Sequence, residues 1–281
     1  MVVWICCSSG RSASICKKTL TMLSRSGFVG SLYVVVPHEE VATYVTALNG
    51  APVHCILIGA QKGLVHQRKH ARSLFPGLTE MVFVDDDVTA IKMKLAGQYS
   101  RVGNIHAIVD YCFEWLSATN SVLWGVYPIA NGLFMKERLA VGNCYVVGAF
   151  YGIINDNRLK EPEVDECEDL VRQLSEQAAG RPPLRFDCFG IETRYFKNAG
   201  GMQQDRKKEV RESVVATLVD NYSSIVKLKR RKEGQADVAF LQRPEYRVLM
   251  AAQTLSTVPP TGPASPSSEP EPHVPSDPPP H

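Results

Sequence analysis

Residues 2–84 alternate between short apolar runs and amphipathic stretches, and this alternation restricts the possible folds more than any other feature of the sequence. Apolar runs bounded by turn residues predict strands, and apolar residues three or four apart predict helices. The predicted strands are 2–7, 31–36, 53–58 and 80–84, and the predicted helices lie around 15–23, 39–48 and 63–74. Such alternation is typical of a parallel sheet with helices on both faces, so we predict an α/β fold.

The pattern is less regular after Asp87. We predict helices at 105–116, 162–178 and 205–224, and strands at 121–128, 133–135, 145–154 and 186–196. Residues 1–255 are expected to form one domain with halves at 1–90 and 91–255. Residues 256–281 contain ten of the eighteen prolines and no lysine or arginine, which is the composition of a disordered tail.

The composition, with 44% hydrophobic and 21% charged residues, is that of a globular protein. No run reaches the roughly 18 apolar residues that span a membrane, and no basic residue precedes the apolar start as a secretory signal requires. The eight cysteines include no C-x-x-C pair, which argues against a zinc site and fits reduced thiols. We therefore expect an intracellular protein with no membrane association and no obligate protein partner.

The triplet Asp85-Asp86-Asp87 directly follows the fourth predicted strand, at the end where open α/β sheets bind ligands. A divalent cation relieves the repulsion among adjacent carboxylates, and hard oxygen ligands favour Mn²⁺ or Mg²⁺ together with phosphate oxygens. Because side chains alternate along an extended chain, we expect Asp85 and Asp87 on one side, contacting metal and ribose. The alternative is a solvated acidic turn that caps a helix beginning at Val88.

Two basic or polar segments are expected near this triplet. Arg68 and Arg72 share one face of the preceding helix and are candidates to contact a nucleotide or diphosphate, although a solvated basic face fits the spacing equally well. Ser8, Ser9 and Arg11 lie in the first strand–helix turn, where a nucleotide enters such a sheet. That turn lacks a phosphate-loop glycine pattern, and a plain helix cap is the competing interpretation.

Other candidates come from the second half. Glu168 or Asp169 is a candidate general base for an alcohol, within an acidic stretch that otherwise resembles a solvated face. Trp124 and Tyr127 lie in an aromatic segment that suits either core packing or stacking on a base or sugar. The pair Gly200-Gly201 suits either a phosphate-contacting loop or a turn.

The run Lys227, Lys229, Arg230, Arg231 and Lys232 is the strongest concentration of positive charge. Without the three acidic residues of the tail, 31 basic residues stand against 26 acidic ones. A mildly basic domain with such a run is compatible with DNA binding but does not require it, because exposed basic runs are common.

The order of these segments resembles the glycosyltransferases associated with TET/JBP-type DNA base hydroxylases, a group that includes the base J glucosyltransferase. The resemblance covers residues 2–240. It is carried by the Ser/Arg turn, the helix with Arg68, the Asp triplet, the segment Trp-Gly-Val-Tyr-Pro at 124–128 with Asn131 after it, Gly-Ala-Phe-Tyr-Gly at 148–152, the pair Glu168-Asp169 and the Gly-Gly loop.

The resemblance implies a GT-A fold: a mostly parallel Rossmann-like sheet with helices on both faces, a nucleotide-binding half at 1–90 and a mixed acceptor half at 91–255. It implies a UDP-sugar donor, a divalent metal and a hydroxymethylpyrimidine in DNA as acceptor. The implied nucleotide-sugar contacts are Ser8, Ser9, Arg11, Arg68, Asp85, Asp86, Gly200 and Gly201. The implied metal ligands are Asp85 and Asp87, the base is Glu168 or Asp169, and the acceptor side includes Trp124, Tyr127 and Asn131.

Three alternatives to an inverting transferase on DNA stay open. The same transfer chemistry acts equally well on a protein, glycan or small-molecule acceptor. A non-catalytic nucleotide- or DNA-binding module would use the Asp triplet only as a cap. A nucleotidyltransferase also uses an acidic metal site, although a glycine-rich Lys/Arg loop is missing after the first strand.

Overall fold

A large sheet of ten strands organises the chain in a computed structural model that describes residues 1–160, 162–193, 208–231 and 235–241. The strands are β1 (Val3–Cys7), β2 (Ser31–Pro37), β3 (His54–Ala60), β4 (Glu80–Val84), β5 (Ala90–Leu95), β6 (Gln98–Arg101), β7 (Leu123–Tyr127), β8 (Leu139–Val141), β9 (Phe150–Ile154), β10 (Leu184–Glu192), β11 (Val226–Arg230) and β12 (Ala236–Phe240). The helices are α1 (Ser12–Ile15), α2 (Thr21–Arg25), α3 (Val41–Ala47), α4 (Leu64–Ser73), α5 (Ile105–Ser117), α6 (Glu168–Ala178) and α7 (Lys208–Asn221). A π-helical turn (Cys16–Leu20) joins α1 to α2, and a 3-10 turn (His38–Glu40) precedes α3.

The large sheet has the order β3-β2-β1-β4-β9-β7-β10-β5-β6, with β8 beside β10. The first four strands are parallel, as the β/α alternation predicted. Strand β9 runs antiparallel between β4 and β7, and β7 and β10 are parallel again. Strands β5 and β8 are antiparallel to β10, so the second half is mixed. The predicted α/β class, with a mostly parallel sheet and a mixed second half, is confirmed.

Side chains of β1 alternate between two apolar layers, which explains why helices cover both faces. Trp4 and Cys6 belong to the larger core cluster together with Ile15 of α1. Ile5 belongs to the opposite cluster together with Ala71 of α4. Both core partners of the strand, Ile15 and Ala71, are buried. Each layer removes apolar surface from water, which stabilises the fold by roughly 25 cal/mol per Å².

One predicted strand is wrong, and the alternative of a helix after the Asp triplet is excluded. Residues 133–135 form a turn and not a strand, and the strand that follows is the short β8. No helix begins at Val88, since the chain turns at Asp86 and Asp87 and continues as the hairpin β5–β6, which was not predicted. Lys227, Lys229 and Arg230 of the basic run lie in β11, which pairs with β12.

The helix α7 and the hairpin β11–β12 form a small unit against the beginning of α6. Leu170 of α6 and Val215 of α7 share one apolar cluster with Val226 of β11. Arg211 of α7 donates to Glu166 Oε1 at 2.9 Å, immediately before α6. The unit therefore supports the segment that positions Glu168 and Asp169.

None of the eight cysteines forms a disulfide, in agreement with the expectation of reduced thiols. Among the described residues, no helix has the length and apolar character needed to cross a membrane. The predicted tail at 256–281 and the pair Gly200-Gly201 lie outside the described residues. The division into halves at 1–90 and 91–255 stays a prediction.

Candidate active site

The turn after β1 and the Asp triplet after β4 meet at the carboxyl edge of the sheet, because β1 and β4 are parallel neighbours. Ser8 Oγ donates to Asp86 and also hydrogen-bonds to Tyr44 Oη at 2.6 Å. Arg11 Nη1 lies 2.6 Å from Asp86 Oδ1 and 3.2 Å from Asp87 Oδ2. The structure thus joins Ser8 and Arg11 to the triplet, and their contact with a nucleotide stays a prediction.

The three aspartates do not alternate as an extended chain would place them. Because the chain turns at Asp86, Arg11 bridges Asp86 and Asp87, whereas Asp85 faces Arg68 Nη2 at 3.2 Å. Asp87 Oδ1 also accepts from Thr193 Oγ1 at 2.8 Å, at the end of β10. The expectation that Asp85 and Asp87 share one side through strand alternation is therefore corrected: the turn, not a pleat, sets their directions.

Thr19, in the π-helical turn, fixes the backbone of the triplet. Its Oγ1 donates to the Asp85 carbonyl at 2.6 Å and accepts from the Val88 amide at 3.1 Å. Thr19 is fully buried, so these two bonds satisfy groups that water does not reach. Sequence reasoning missed this residue, since a threonine inside an amphipathic helix gives no functional signal.

Arg68 lies beneath the site and not on its surface. It is 2% exposed, and its guanidinium donates to Glu168 Oε1, Asp85 Oδ1 and the Gly148 carbonyl. The Tyr151 ring lies against it, 5.2 Å from ring centroid to Cζ. Arg68 therefore orients Asp85 from below, which corrects the expectation that it lines the nucleotide.

Arg72, the other basic residue of that helix face, is directed away from the site. Its Nε donates to Asn155 Oδ1 at 3.0 Å and its Nη2 to the Asp156 carbonyl at 2.9 Å. Arg68 and Arg72 share one helical face but belong to two different hydrogen-bond networks. Neither guanidinium is presented to a nucleotide.

Glu168 is a buried carboxylate held by two arginines. Arg68 donates to its Oε1 and Arg172, one turn later in α6, donates to its Oε2. Burial alone would raise the pKa of Glu168, but the charges of Arg172 and Arg68 prevail and lower it below the usual value. Glu168 is therefore ionised, and both of its carboxylate oxygens are held in structural ion pairs. A Cβ at Gly148 would lie 2.7 Å from Glu168 Oε1, so only glycine fits there without a shift.

Asp169 has a different environment and is partly exposed. Its Oδ2 accepts from Tyr145 Oη and from the Gly148 amide at 3.3 Å, and its Oδ1 accepts from the Leu170 amide at 2.9 Å. Burial, followed by the charge of Glu168, raises the pKa of Asp169 despite these hydrogen bonds. Of the two candidate bases, Asp169 is the one that is partly exposed and whose pKa is raised above the usual value of its side chain.

Asp85 is the member of the triplet whose carboxylate is most open, with 35% of its side chain exposed. Burial of its remaining surface raises the pKa of Asp85 to about 8; Arg68 opposes this rise, and the charges of Asp87, Asp86 and Glu168 add to it. The four carboxylates of Asp85, Asp86, Asp87 and Glu168 lie against three guanidinium groups, those of Arg11, Arg68 and Arg172, so negative charge is in excess and favours the binding of a cation.

The oxygen donors at the triplet suit a hard divalent cation whose coordination is completed by a bound phosphate and water. Carboxylate oxygens of Asp85 and Asp87 lie at one turn, and hard oxygen donors suit Mn²⁺ or Mg²⁺. Within the described residues, no group of three His, Cys, Asp or Glu side chains is arranged to hold a metal by itself. Such a metal would therefore take its other ligands from phosphate oxygens and water, as Mg²⁺ sites commonly do.

Ser9 and the following backbone are engaged by Glu40, which sequence reasoning did not single out. Ser9 Oγ donates to Glu40 Oε1 at 2.8 Å, and the Gly10 amide donates to Glu40 Oε2 at 2.7 Å. The Arg11 amide donates to Tyr44 Oη at 3.2 Å. The 3-10 turn and α3 thereby fix the turn after β1, on which Ser9 stays a predicted nucleotide contact.

The predicted acceptor residues have three different environments. Trp124 is fully buried, with its ring against Phe150 at a centroid distance of 5.5 Å, so no face of the indole is left for an acceptor and the prediction is wrong. Tyr127 is partly buried under Arg185, whose Cζ lies 5.2 Å from the ring centroid. Asn131 lies in an exposed loop, where its Oδ1 accepts from the Leu133 amide at 2.9 Å.

The described residues of the basic run, Lys227 and Lys229 to Arg231, are exposed, and two of them form ion pairs. Arg230 lies 3.4 Å from Glu212 and Arg231 lies 2.7 Å from Asp237. Lys227 and Lys229 are exposed and, two residues apart in a strand, share one face of β11. The predicted DNA contact is thus concentrated on these two lysines.

Searches against known proteins give structural likenesses without sequence relatives. No protein-family model and no curated protein matches the chain. Glucosyl-3-phosphoglycerate synthase from Mycobacterium tuberculosis, solved with Mn²⁺, uridine diphosphate and phosphoglyceric acid, is 10% identical over 91% of each chain with a TM-score of 0.48. S. aureus TarS 1-349 is 12% identical over 78% of this chain and 65% of its own, with a TM-score of 0.45.

A third solved structure belongs to a different class of transferase. The inositol-1-phosphate CTP transferase from T. maritima is 9% identical over 77% of this chain and 95% of its own, with a TM-score of 0.42. At these identities and TM-scores, the likenesses assign neither a family nor an activity to the chain.

Proposed function

We propose that the protein is a metal-dependent glycosyltransferase of the GT-A type that uses a UDP-sugar. The observation that carries this proposal is the open Asp85 carboxylate at the carboxyl edge of a parallel sheet, surrounded by acidic groups that outnumber the two adjacent arginines. A divalent cation with the diphosphate of a nucleotide would supply the missing positive charge and the missing ligands. The resemblance in segment order supports a sugar nucleotide as that ligand.

The donor site follows from the contacts of the two turns. Asp85 and Asp87 would hold the cation, which when bound stabilises negative charge on the departing diphosphate. Ser9 and Arg11 would contact the nucleotide beside them, with Asp86 held in place by Ser8 and Arg11. Arg68 orients Asp85 from the buried side and keeps that carboxylate directed to the ligand.

The transfer step is a direct displacement at the anomeric carbon. The acceptor hydroxyl oxygen forms a bond to that carbon, and the bond from the carbon to the diphosphate oxygen breaks with its electron pair leaving on UDP. Asp169 accepts the hydroxyl proton, since its raised pKa and partial exposure suit a general base. A single displacement inverts the anomeric configuration.

We further propose 5-hydroxymethyluracil or 5-hydroxymethylcytosine in DNA as the acceptor. This choice is supported by the resemblance, by the net positive charge outside the tail and by the exposed pair Lys227 and Lys229 on one strand face. The unit that carries these lysines contacts Glu166, three residues before Asp169, so a duplex bound there would lie near the candidate base.

The test is a mass measurement on DNA. The protein is incubated with Mn²⁺, a panel of UDP-sugars and duplexes that contain either hydroxymethylated base, and the nucleosides are weighed after digestion. We expect a gain of one sugar on one base, and we expect Asp87→Ala to lose this activity while the variant still folds. Full activity of Asp87→Ala in the presence of a chelator would exclude the metal role.

Two other results would redirect the proposal. Metal-dependent UDP binding without any modified DNA would keep the transferase and move the acceptor to a protein, glycan or small molecule. No metal-dependent UDP binding at all would favour a non-catalytic nucleotide- or DNA-binding module.

A further inference from the structure

The loop of residues 129–135, which we call the apolar loop, exposes large hydrophobic side chains that no part of the proposed chemistry uses. Leu133 is 87% exposed, Phe134 58% and Ile129 54%, whereas the next residue, Met135, is fully buried. Protein surfaces rarely carry several large apolar side chains in one exposed patch. Such a patch commonly marks an interaction site.

Hydrogen bonds within the apolar loop and from β5 fix the conformation of its tip. The Leu133 amide donates to Asn131 Oδ1 at 2.9 Å, and the Phe134 and Met135 amides both donate to the Asn131 carbonyl at 3.0 Å. Lys94 Nζ of β5 donates to the Gly132 carbonyl at 2.7 Å. Leu133 and Phe134 are therefore presented from a braced turn.

A second brace comes from the β5–β6 hairpin. Tyr99 Oη donates to the Ala130 carbonyl at 2.5 Å, and a Cβ at Gly132 would lie 3.3 Å from the Tyr99 ring. The hairpin therefore packs directly against the loop backbone. A loop fixed on two sides loses little conformational entropy when it binds. Low entropic cost favours the insertion of its side chains between stacked bases.

The loop lies at the same sheet edge as the candidate active site. The Ala130 amide donates to the Ile191 carbonyl at 2.8 Å near the end of β10. Two residues later, Thr193 Oγ1 donates to Asp87 Oδ1 at 2.8 Å. The tip is thus connected to the Asp triplet through a single short stretch of strand.

Charge around the loop fits a polyanion. Arg101, on the same strand as Tyr99, is exposed, and Lys136 is exposed directly after the loop. Such residues contact phosphates without reading sequence, while apolar side chains insert between base steps and unstack them. This combination, next to a site whose acceptor is a stacked base, favours duplex DNA over a lipid surface.

We infer that Leu133 and Phe134 form a wedge that enters duplex DNA and extrudes the target nucleotide toward Asp169 and the donor site. The inference rests on the proposed DNA acceptor. A duplex hides the hydroxymethyl group inside the stack, so a transferase acting on it must displace the nucleotide and stabilise the gap that is left. Two adjacent apolar side chains fill that gap, and Arg101 and Lys136 hold the flanking phosphates.

The experiment compares the double variant Leu133→Ser/Phe134→Ser with the wild-type protein. Both are tested on two substrates that carry the same hydroxymethylated base. One substrate is a duplex and the other is the single strand alone, in which little stacking must be broken. We expect kcat/KM on the duplex to fall on the order of tenfold to a hundredfold, because unstacking is no longer compensated. On the single strand we expect less than about a twofold change. Leu74→Ala, an exposed leucine after α4, is the matched control.

The results separate the wedge from the proposed function. Equal activity of the variant and the wild type on duplex DNA would overturn the wedge while the DNA transferase stands. An equal loss on both substrates would also overturn it, since the residues would then serve the acceptor pocket and not base extrusion. If the wild type modifies neither substrate, the DNA acceptor itself is wrong. Loss of binding to vesicles with anionic lipid, at unchanged duplex activity, would assign the loop to a membrane surface instead.

Discussion

Arg68 and Glu168 lie 100 residues apart in the sequence and form a buried ion pair, in which Arg68 Nη1 donates to Glu168 Oε1. The pair connects α4 to α6 across the site. Through its other nitrogen Arg68 also holds Asp85, so one guanidinium positions the triplet relative to the candidate base Asp169. This buried pair therefore contributes to the relative placement of the donor and acceptor groups, together with the bond from the Val65 amide of α4 to Asp165 Oδ1 at 2.7 Å.

Arg68→Met should destabilise the fold strongly, because it leaves the Glu168 carboxylate buried with only Arg172 as partner. Breaking one partner of a buried pair costs about 3–5 kcal/mol. The measurement is urea unfolding followed by circular dichroism, with the exposed Lys69→Met on the same helix as control, for which less than about 0.5 kcal/mol is expected. A double change Arg68→Met/Glu168→Leu should recover part of the loss. Equal stability of Arg68→Met and the wild type would show that the pair contributes nothing.

Asp85→Asn should remove Mn²⁺-dependent UDP binding without unfolding the protein. The substitution keeps the shape and relieves the repulsion from Asp86 and Asp87, but it removes the open carboxylate that a cation needs. Isothermal titration with Mn²⁺ and UDP, compared with thermal unfolding of the same variant, checks both parts. Asp110→Asn, an exposed aspartate of α5, is the control and should bind as the wild type does. Undiminished binding by Asp85→Asn would remove Asp85 from the metal site.

Asp169 should set the acidic limb of the pH–rate profile. A general base must be ionised, so kcat/KM falls as pH drops through its pKa; because burial and Glu168 raise that pKa, the fall should occur above the ordinary aspartate value of about 3.9. Tyr145→Phe removes a hydrogen bond that lowers this pKa, so the limb should move to higher pH. Asp169→Asn should lose about 10²–10⁴ in rate.

A different result would point to the other carboxylate. The charges of Arg172 and Arg68 lower the pKa of Glu168 below its usual value, and the Glu168 carboxylate is held by these two arginines, whereas Tyr145 Oη donates to Asp169. A limb that does not respond to Tyr145→Phe would therefore argue against Asp169.

The sequence predicts the first half of the fold well because its strands are short apolar runs separated by turn residues. The alternation from β1 to β4 and the position of the triplet follow from local patterns. Trp124 shows the limit of such patterns: an aromatic residue in a Gly-rich segment looks the same in sequence whether it is core or platform, and only the contact with Phe150 decides. Likewise, no local signal reveals that Arg68 meets Glu168, because that contact depends on how α4 and α6 pack.

Thr19→Val should weaken nucleotide binding by loosening the turn of the triplet. The substitution is nearly isosteric but leaves the Asp85 carbonyl and the Val88 amide without their buried partner, at a cost of about 1–3 kcal/mol in stability. Thr21→Val provides the control, because its hydroxyl donates only to the Cys16 carbonyl, at 2.6 Å within the same helical segment. Both variants are compared by thermal unfolding and by Mn²⁺-dependent UDP binding. Equal effects in both assays would assign Thr19 a purely helical role.

Lys227→Ala/Lys229→Ala should weaken DNA binding in a way that depends on salt and not on sequence. Each phosphate contact contributes about 0.9 to the slope of log K against log salt on duplex DNA, so loss of two contacts should reduce the slope by about 1.8. The measurement is fluorescence anisotropy of a labelled duplex over a series of salt concentrations.

The control for this pair is Lys62→Ala/Lys69→Ala, which removes two exposed lysines elsewhere and changes the net charge by the same amount. An equal reduction in slope for both pairs would mean that the effect comes from the overall charge, in which case β11 is no special contact. A reduction confined to Lys227 and Lys229 would place the duplex against β11, on the unit that supports Glu168 and Asp169. Because phosphate contacts carry no base readout, the choice of the hydroxymethylated base would then depend on the carboxyl edge of the sheet.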